Sequence, residues 1–432
     1  MDDKSKIRGQ GNEQDKTRSA GPPSPRGASR PSRRGLDWFV FFVADVQTGF
    51  GPFVAVYLTA QKWTQVDIGL ILTVGGLISL FGQVPGGAIL DAVRSPRLAA
   101  GIAVVIIGLS ALMLAIWPVF AVVLASRILQ ASASCVLGPA IASLSLGLVE
   151  RREIGERLGR NAAFASVGTG LAAAGMGAVG YFLSNQAVFY VTAAFIAPAL
   201  FALMQINRNE VDPVRAHGGA HAHPLNLITG LAELLRNRAL LIFAACVLLF
   251  HLANAAVLPL VASMLTLRSS HSATALIAVA MVVPQFLVAL LSPTVGRKAQ
   301  QWGRRPLLVI GFAALIARTI LFAYVTSPYL VVVVQLLDGI SAAVLGVLVP
   351  LSIADLTRDS GHFNLTQGAV GCAMGIGASV STTFAGYLTD RFSSHTTFLC
   401  LGLIAAVGLI VMWLLMPETR SSDDTDPASG HV

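Results

Sequence analysis

Residues 66–90 read VDIGLILTVGGLISLFGQVPGGAIL and residues 97–117 read RLAAGIAVVIIGLSALMLAIW, with only the joint Asp91-Ala92-Val93-Arg94-Ser95-Pro96 between them. Each run is apolar around nearly its whole circumference. Each has the roughly 20 residues that a helix needs to cross about 30 Å of hydrocarbon. Such a helix lies in a bilayer or deep inside a large protein. Repetition decides between the two. Twelve comparable stretches occur, at 37–60, 66–90, 97–117, 119–148, 159–184, 186–206, 239–267, 272–297, 304–326, 329–356, 363–388 and 395–416. The joints are Pro, Gly, Asn, Ser or charge clusters, as turns require. The expected fold class is all-α: a polytopic membrane protein with 12 transmembrane helices.

Composition agrees. Of 432 residues, 54% are hydrophobic and 12% are charged. Soluble domains carry about 25% charge, so an ordinary cytosolic enzyme and a disordered scaffold are both excluded. Four cysteines are too sparse for a disulfide-stapled secreted domain. The net charge of +8 does not point to nucleic acid, because residues 1–34 alone hold nine Lys/Arg against four acids. That segment is Gly-, Pro-, Ser- and Arg-rich without apolar period, and residues 1–35 are expected to be a disordered basic tail. No short apolar core precedes Trp38, so it is not read as a cleavable signal. Arg26, Arg30, Arg33 and Arg34 read as a topology anchor drawn to anionic lipid.

With the N-terminus inside, 25 of the 30 Lys/Arg fall in inner segments and three, Lys62, Arg268 and Arg391, fall outside. This positive-inside bias predicts an inner-membrane protein with both termini cytoplasmic. Residues 207–238 form the longest polar gap, with an amphipathic helix expected over 225–236. They separate six-helix bundles at 36–206 and 239–416, followed by a second disordered tail, 417–432. The halves echo each other: Pro52 and Pro259, Pro85 and Pro293, Gly87 and Gly296, Gly138 and Gly346, Asn161 and Asn364, Gly168 and Gly371. Two like halves with a site between them is a transporter plan.

Charge at membrane depth costs at least about 2.5–3.5 kcal/mol, so each case needs a reason. Asp45, Arg127, Arg318 and Asp338 qualify, with His251 as a fifth titratable group. Asp45 and His251 nearly coincide under the 207-residue repeat seen at Pro52 and Pro259, and Asn254 continues the His251 face. A carboxyl and an imidazole can carry protons, so both are candidate coupling groups. Arg318 lies eight residues before the outer end of span 9 and Asp338 nine after the outer start of span 10. At 1.5 Å per residue both are about 12–14 Å deep, which predicts a buried ion pair. Arg127, Gln130, Ser134 and Gly138 form one polar stripe on span 4, and Gln335, Asp338 and Gly346 form its mate on span 10.

The joints after spans 2 and 8 resemble a signature of the major facilitator superfamily, roughly G-x-L-a-D-r-x-G-r-k. The first copy, Gly87-Ala88-Ile89-Leu90-Asp91-Ala92-Val93-Arg94, keeps Gly and Asp but lacks the second Gly. The second, Gly296 to Arg305, keeps both Gly and the basic pair Arg304-Arg305 but has Gln300 at the Asp position. Arg127-Ile128-Leu129-Gln130-Ala131 resembles the family's R-x-x-q-G, with Ala for Gly. The resemblance spans about 37–416. It implies that spans 1 and 7 line a central cavity and that Asp91, with Arg304 and Arg305, belongs to a cytoplasmic gate. It also implies secondary transport of a small organic compound by a monomer. Proton-coupled efflux is the expected activity. Proton-linked uptake is the alternative, and a transporter-like sensor or lipid-handling protein a more distant one. Span 5 is Gly-rich but lacks the Gly-Pro of many antiporters of the family. No Walker, H-E-x-x-H or G-x-S-x-G motif occurs, so no ATP site, catalytic residue, cofactor or bound metal is expected. His217, His221 and His223 read as linker residues, and the cysteines as packing.

Overall fold

The computed structural model describes residues 28–48, 50, 52–219, 227–268, 273–358 and 360–420. Every regular element among them is helical. The spans are Arg30–Ala60 (span 1), the pair Val66–Phe81 and Gln83–Ala92 bent by 47° (span 2), Pro96–Ile116 (span 3), Phe120–Leu148 (span 4), Arg151–Phe182 (span 5) and Ala187–Met204 (span 6). The second half repeats the set as Arg238–Leu265 (span 7), Leu276–Trp302 (span 8), Arg305–Tyr324 (span 9), Pro328–Leu356 (span 10), Phe363–Arg391 (span 11) and Ser394–Leu415 (span 12). The first and last described residues, Ala28 and Arg420, lie on one side, called here the terminal side.

The polar joints cap what they separate. Ser95 accepts from Leu98 N ahead of Pro96, Asn237 from Leu240 N, and Ser393 from Thr396 N. Spans 1 and 7 are interrupted midway. One helix runs Arg30–Thr48 and resumes at Pro52–Ala60; the other runs Arg238–Asn254 and resumes at Val257–Arg268. The two breaks occupy nearly equivalent places in the repeat.

The halves meet chiefly along two crossings, span 5 on span 8 and span 2 on span 11, with lesser contacts of span 5 on span 10 and span 4 on span 11. Glycine makes both possible. A β-carbon on Gly87 would overlap the Asn364 carbonyl, one on Gly368 the Gln83 carbonyl, one on Gly155 the Gly296 carbonyl and one on Gly159 the Ser292 carbonyl. Small residues let the backbones touch where lipid offers no hydrophobic drive. Among the described residues these backbone approaches between halves all lie toward the terminal side.

Three expectations about the polar segments change. Helix begins at Arg30, so Arg30, Arg33 and Arg34 belong to span 1 rather than a loose tail, and Arg33 pairs with Glu153 at 2.7 Å. Residues 1–27 lie outside the described residues. After span 12 the chain is held: Glu418 accepts from Arg304 N at 2.8 Å and Arg305 N at 3.0 Å, beneath Gly303 at φ 94°. A carboxylate at that helix start suits its partial positive charge. Residues 421–432 lie outside the described residues. In the central segment, His217 is not a loose linker residue. It is buried, with Nδ1 2.6 Å from Pro213 O and Nε2 3.1 Å from Val93 O. His221 and His223 are outside the described residues. The amphipathic helix is observed as Leu227–Arg236, with Gly230 against Leu365 of span 11.

Replacing Gly296 by valine tests the crossings. The new side chain meets the Gly155 carbonyl, and overpacking of this kind costs about 1–3 kcal/mol. The thermal midpoint in detergent is expected to fall. A cysteine replacing the buried Ser292 should react with maleimide faster in the Gly296→Val background than without it.

Candidate transport cavity and its charged supports

Between the halves lies a cavity of about 580 Å³, lined by side chains of spans 2, 4, 7, 10 and 11. Its polar wall includes Ser79, Gln83, Ser134, His251, Asn254 and Gln367. Volumes of about 300–1,000 Å³ are usual for small-molecule sites. His251 sits with Nδ1 2.9 Å from Val247 O of its own helix. Nδ1 therefore carries the hydrogen, and Nε2 is the acceptor of the neutral ring. Gln367 Oε1 is buried and makes no hydrogen bond among the described residues. Buried amide oxygens seldom go unpaired, so this atom is a ready contact for a polar ligand.

The intramembrane charges stand around this cavity. Arg318, 2% exposed, pairs with Asp338 and also donates to Asn254 Oδ1. Gln335 Nε2 donates to the other oxygen of Asp338 at 3.3 Å. One connected network thus links spans 10, 9 and 7 and ends at a cavity-lining side chain. In the first half, Arg127 donates to Gln130 Oε1 at 2.8 Å, and Gln130 Nε2 to Ser134 Oγ at 2.9 Å. Arg127 also reaches Phe50 O at 3.4 Å, a carbonyl exposed by the break in span 1. No carboxylate pairs with Arg127 among the described residues.

Of the residues singled out as proton-coupling or cavity groups, the cavity wall itself holds His251 and Asn254. Asp45 is 2% exposed on span 1 and is not on that wall. It makes no hydrogen bond or ion pair among the described residues. Arg127, Gln130, Gln335 and Asp338 stand behind the wall, joined to it through Ser134 and Asn254. Gln83 and Gln367 went unremarked in the sequence. Their signal was there: Gln83 is the lone amide of span 2, and Gln367 follows Asn364 by three residues in a run that is otherwise mostly apolar or small.

On the terminal side, Asp91 ends span 2 against the start of span 11. Its carboxylate accepts from Asn364 N at 3.1 Å, Asn364 Nδ2 at 2.8 Å and Leu365 N at 2.8 Å. Two of these donors are free amides of a helix start, where partial positive charge gathers. Arg304 and Arg305 do not form the matching bridge across the halves. Arg304, buried, holds Asp355 at 2.9 Å and the Ala299 carbonyl at 2.8 Å within its own half. Arg305 donates to the Trp413 carbonyl, also in its own half. Across the halves at this end, Arg151 of span 5 stands 3.7 Å from Asp355. At the place equivalent to Asp91, Gln300 packs on Gly155.

Another buried cluster was missed. Asp37 pairs with Arg157 and, at 2.7 Å, with Arg160; Arg157 Nε donates to Asn161 Oδ1 at 3.0 Å, and Asn161 to Ser145 at 2.6 Å. Asp37 stands at the edge of the apolar run 37–60, where an acid is ordinarily solvated. Among the described residues no group of three or more His, Cys, Asp or Glu is placed to hold a metal ion.

Comparison with known proteins gives this arrangement its class. The sequence profile described as Major Facilitator Superfamily matches residues 38–281 and 243–431. A relative from Mycobacterium tuberculosis, described as an uncharacterized MFS-type transporter, is 38% identical over 396 residues, covering 90% of this chain and 94% of its own. The tetracycline resistance protein, class B, of Escherichia coli is 26% identical over 142 residues, 33% of this chain and 35% of that protein. Among solved structures, the transporter FucP in the outward conformation superposes with a TM-score of 0.71 at 14% identity, covering 88% of this chain and 97% of FucP. The chain belongs to the major facilitator superfamily. It is a multi-pass membrane transporter.

Two outcomes follow from the charged supports. Removing one member of a buried pair typically costs about 3–5 kcal/mol, so Arg318→Ala and Asp338→Ala should each depress the thermal midpoint sharply. The exchange Arg318→Asp with Asp338→Arg should regain part of that loss, since the pair is kept and the Asn254 amide can turn to donate. Double-mutant analysis of unfolding reads the coupling. Separately, Asp91→Ala leaves two helix-start amides without their acceptor. Ser79→Cys in that background should label faster from the terminal side, because the population shifts toward a state open there.

Proposed function

We propose that this chain is a proton-coupled exporter of a small organic compound. It works by alternating access as a monomer in the inner membrane, with both termini cytoplasmic. The observation that carries the reading is a cavity between two like halves that, among the described residues, are clasped together on the terminal side, at Asp91 and the two glycine crossings. On this reading the cavity is closed on the terminal side and reached from the other, which is one of the two states an exchanger needs. Opening the clasp while the far ends close gives the second.

Proton coupling rests on titratable groups at membrane depth. Asp45 is buried at the break of span 1 and has no cation opposite it among the described residues. An ionised carboxylate is costly in such a place. His251 offers a ring nitrogen to the cavity. Export is supported by the partial likeness to a tetracycline resistance protein. Lys/Arg bias supports the orientation. The second reading, proton-linked uptake, is favoured by one observation: span 5 has glycines at Gly168, Gly170, Gly175, Gly177 and Gly180 but no proline. His251, Asn254 and Gln367 would contact the compound, with Asp45 carrying the proton and the Arg318–Asp338 network holding Asn254 in place.

The test is flux in proteoliposomes under an imposed pH gradient. Compounds that raise the thermal midpoint of the purified chain would be used, with tetracycline tried first. The wild-type chain should drive them against their gradient and acidify or alkalinise the lumen in step. Asp45→Asn should lose pH-driven accumulation and keep exchange of labelled for unlabelled compound. Unchanged gradient dependence in that variant removes Asp45 from the coupling path. Movement that never alters lumenal pH removes proton coupling altogether.

A further inference from the structure

A second hollow lies on the flank of the first half, away from the central cavity. It is a groove of about 540 Å³ between spans 3 and 6, walled by Leu98, Ile102, Val105, Leu200 and Met204. Leu98, Ile102 and Met204 are 62%, 52% and 70% exposed, so in the membrane this slot meets acyl chains rather than protein. At the terminal side the groove runs into a polar hollow of about 340 Å³. The two share Ser95, Arg97 and Arg208, and the hollow adds Arg94 and Asn209.

The rim is basic without compensation. Arg97 spends Nε and one Nη on the carbonyls of Leu203, at 3.1 Å, and Met204, at 3.2 Å. It thereby ties span 3 to span 6 and makes no ion pair among the described residues. Arg94 and Arg208 are exposed and make no ion pair among the described residues. No carboxylate lines either hollow. The acids nearest in sequence are engaged elsewhere: Asp212 pairs with Arg215 at 3.0 Å, and Glu210 is turned onto Ser29, whose N and Oγ both donate to it at 2.9 Å. Span 3 begins here, with Ser95 as its cap, and adds the positive end of a helix.

An apolar slot at membrane depth that opens into a three-arginine hollow at the membrane surface matches one kind of molecule. Its chains are apolar, its head is anionic, and the two ends lie in the order that a bilayer leaflet imposes. We infer that this groove is a binding site for an anionic phospholipid such as phosphatidylglycerol. The phosphate lies on Arg94 and Arg208, with Arg97 beneath, and one acyl chain lies along Ile102 and Val105. A zwitterionic choline lipid fits less well, because its ammonium would face three cations and no acid. The joint that carries Arg94 also carries Asp91, so an occupant would rest on the segment whose other end clasps span 11.

The test uses the full chain purified in detergent, with lipid retention read by native mass spectrometry. Phosphatidylglycerol and phosphatidylcholine of identical chains would be added in turn, and glycerol phosphate used as a competitor without chains. Phosphatidylglycerol should be retained in preference to phosphatidylcholine. Arg94→Gln with Arg208→Gln should weaken that retention by roughly 10- to 30-fold, as expected for two cations beside an anionic head. Ile102→Trp, which fills the slot and leaves the rim, should weaken it too. Both variants must remain monodisperse with the wild-type thermal midpoint in lipid-free detergent; one that does not is replaced by Arg208→Gln or Val105→Trp alone. Equal retention of the two lipids overturns the inference, as does undiminished phosphatidylglycerol binding in the rim variant. Full displacement by glycerol phosphate would assign the rim to a soluble anion and overturn the lipid assignment.

Discussion

The contact between the carboxylate of Asp91 and the first amides of span 11 is possible only because Gly87 has no side chain. A β-carbon there would strike the Asn364 carbonyl, and span 2 could not come close enough for Asp91 to reach Asn364 N and Leu365 N. Close approach and electrostatics therefore depend on each other. The carboxylate fills hydrogen-bond sites that a helix start always leaves open, and the glycine supplies the distance at which it can. Much else follows from this contact. It closes the terminal end of the cavity and sets Gln83 against span 11.

The equivalent crossing of spans 5 and 8 is built without a carboxylate. Gln300 stands where the repeat would place an acid, and the backbones of Gly155 and Gly296 meet directly. The charge at that end is supplied instead by Asp355, held by Arg304 and approached by Arg151 from the other half. A neutral amide cannot draw on the positive end of a helix as a carboxylate does. The two crossings are alike in backbone geometry and different in strength of electrostatic closure, although the halves are copies of one plan.

The large outline was legible in the sequence because a bilayer imposes strict rules. Span length follows from hydrocarbon thickness, and the sidedness expectation followed from where Lys and Arg stand. The depth of a residue can be counted along its helix, so Arg318 and Asp338 could be matched by arithmetic. The rotation of each helix about its axis cannot be counted this way. That is why Asp45 was assigned to the cavity wall and lies off it, and why Gln83 and Gln367 were passed over. Asp37 and Asp355 were missed for a related reason: each sits near a span end, where a solvated acid is the ordinary expectation, and each is buried by arginines distant in sequence. His217 looked like linker because its neighbours are Gly and Ala. Its carbonyl partners, Pro213 and Val93, come from its own turn and from another joint.

Depth also separates the charged contacts by the work they can do. Arg318 and Asp338 lie within the bilayer, where separating them strands two charges with no water to receive them. Such a pair suits a frame. It holds Asn254 at the break of span 7, as Arg127 holds the Phe50 carbonyl at the break of span 1, so an arginine steadies each interrupted helix. Asp91 lies at the end of its span, within reach of water once the helices part. Its three hydrogen bonds can be exchanged for hydration, and exchange of that kind leaves a net difference of only about 0.5–1.5 kcal/mol for an ordinary bond and about 1.5–3 kcal/mol for one to a charged group. A contact with that balance can hold one state and still be released by the differential binding of a substrate or a proton, which shifts such equilibria by comparable amounts. Under the proposed cycle the deep pairs persist through every state, and the surface clasp is the part that opens.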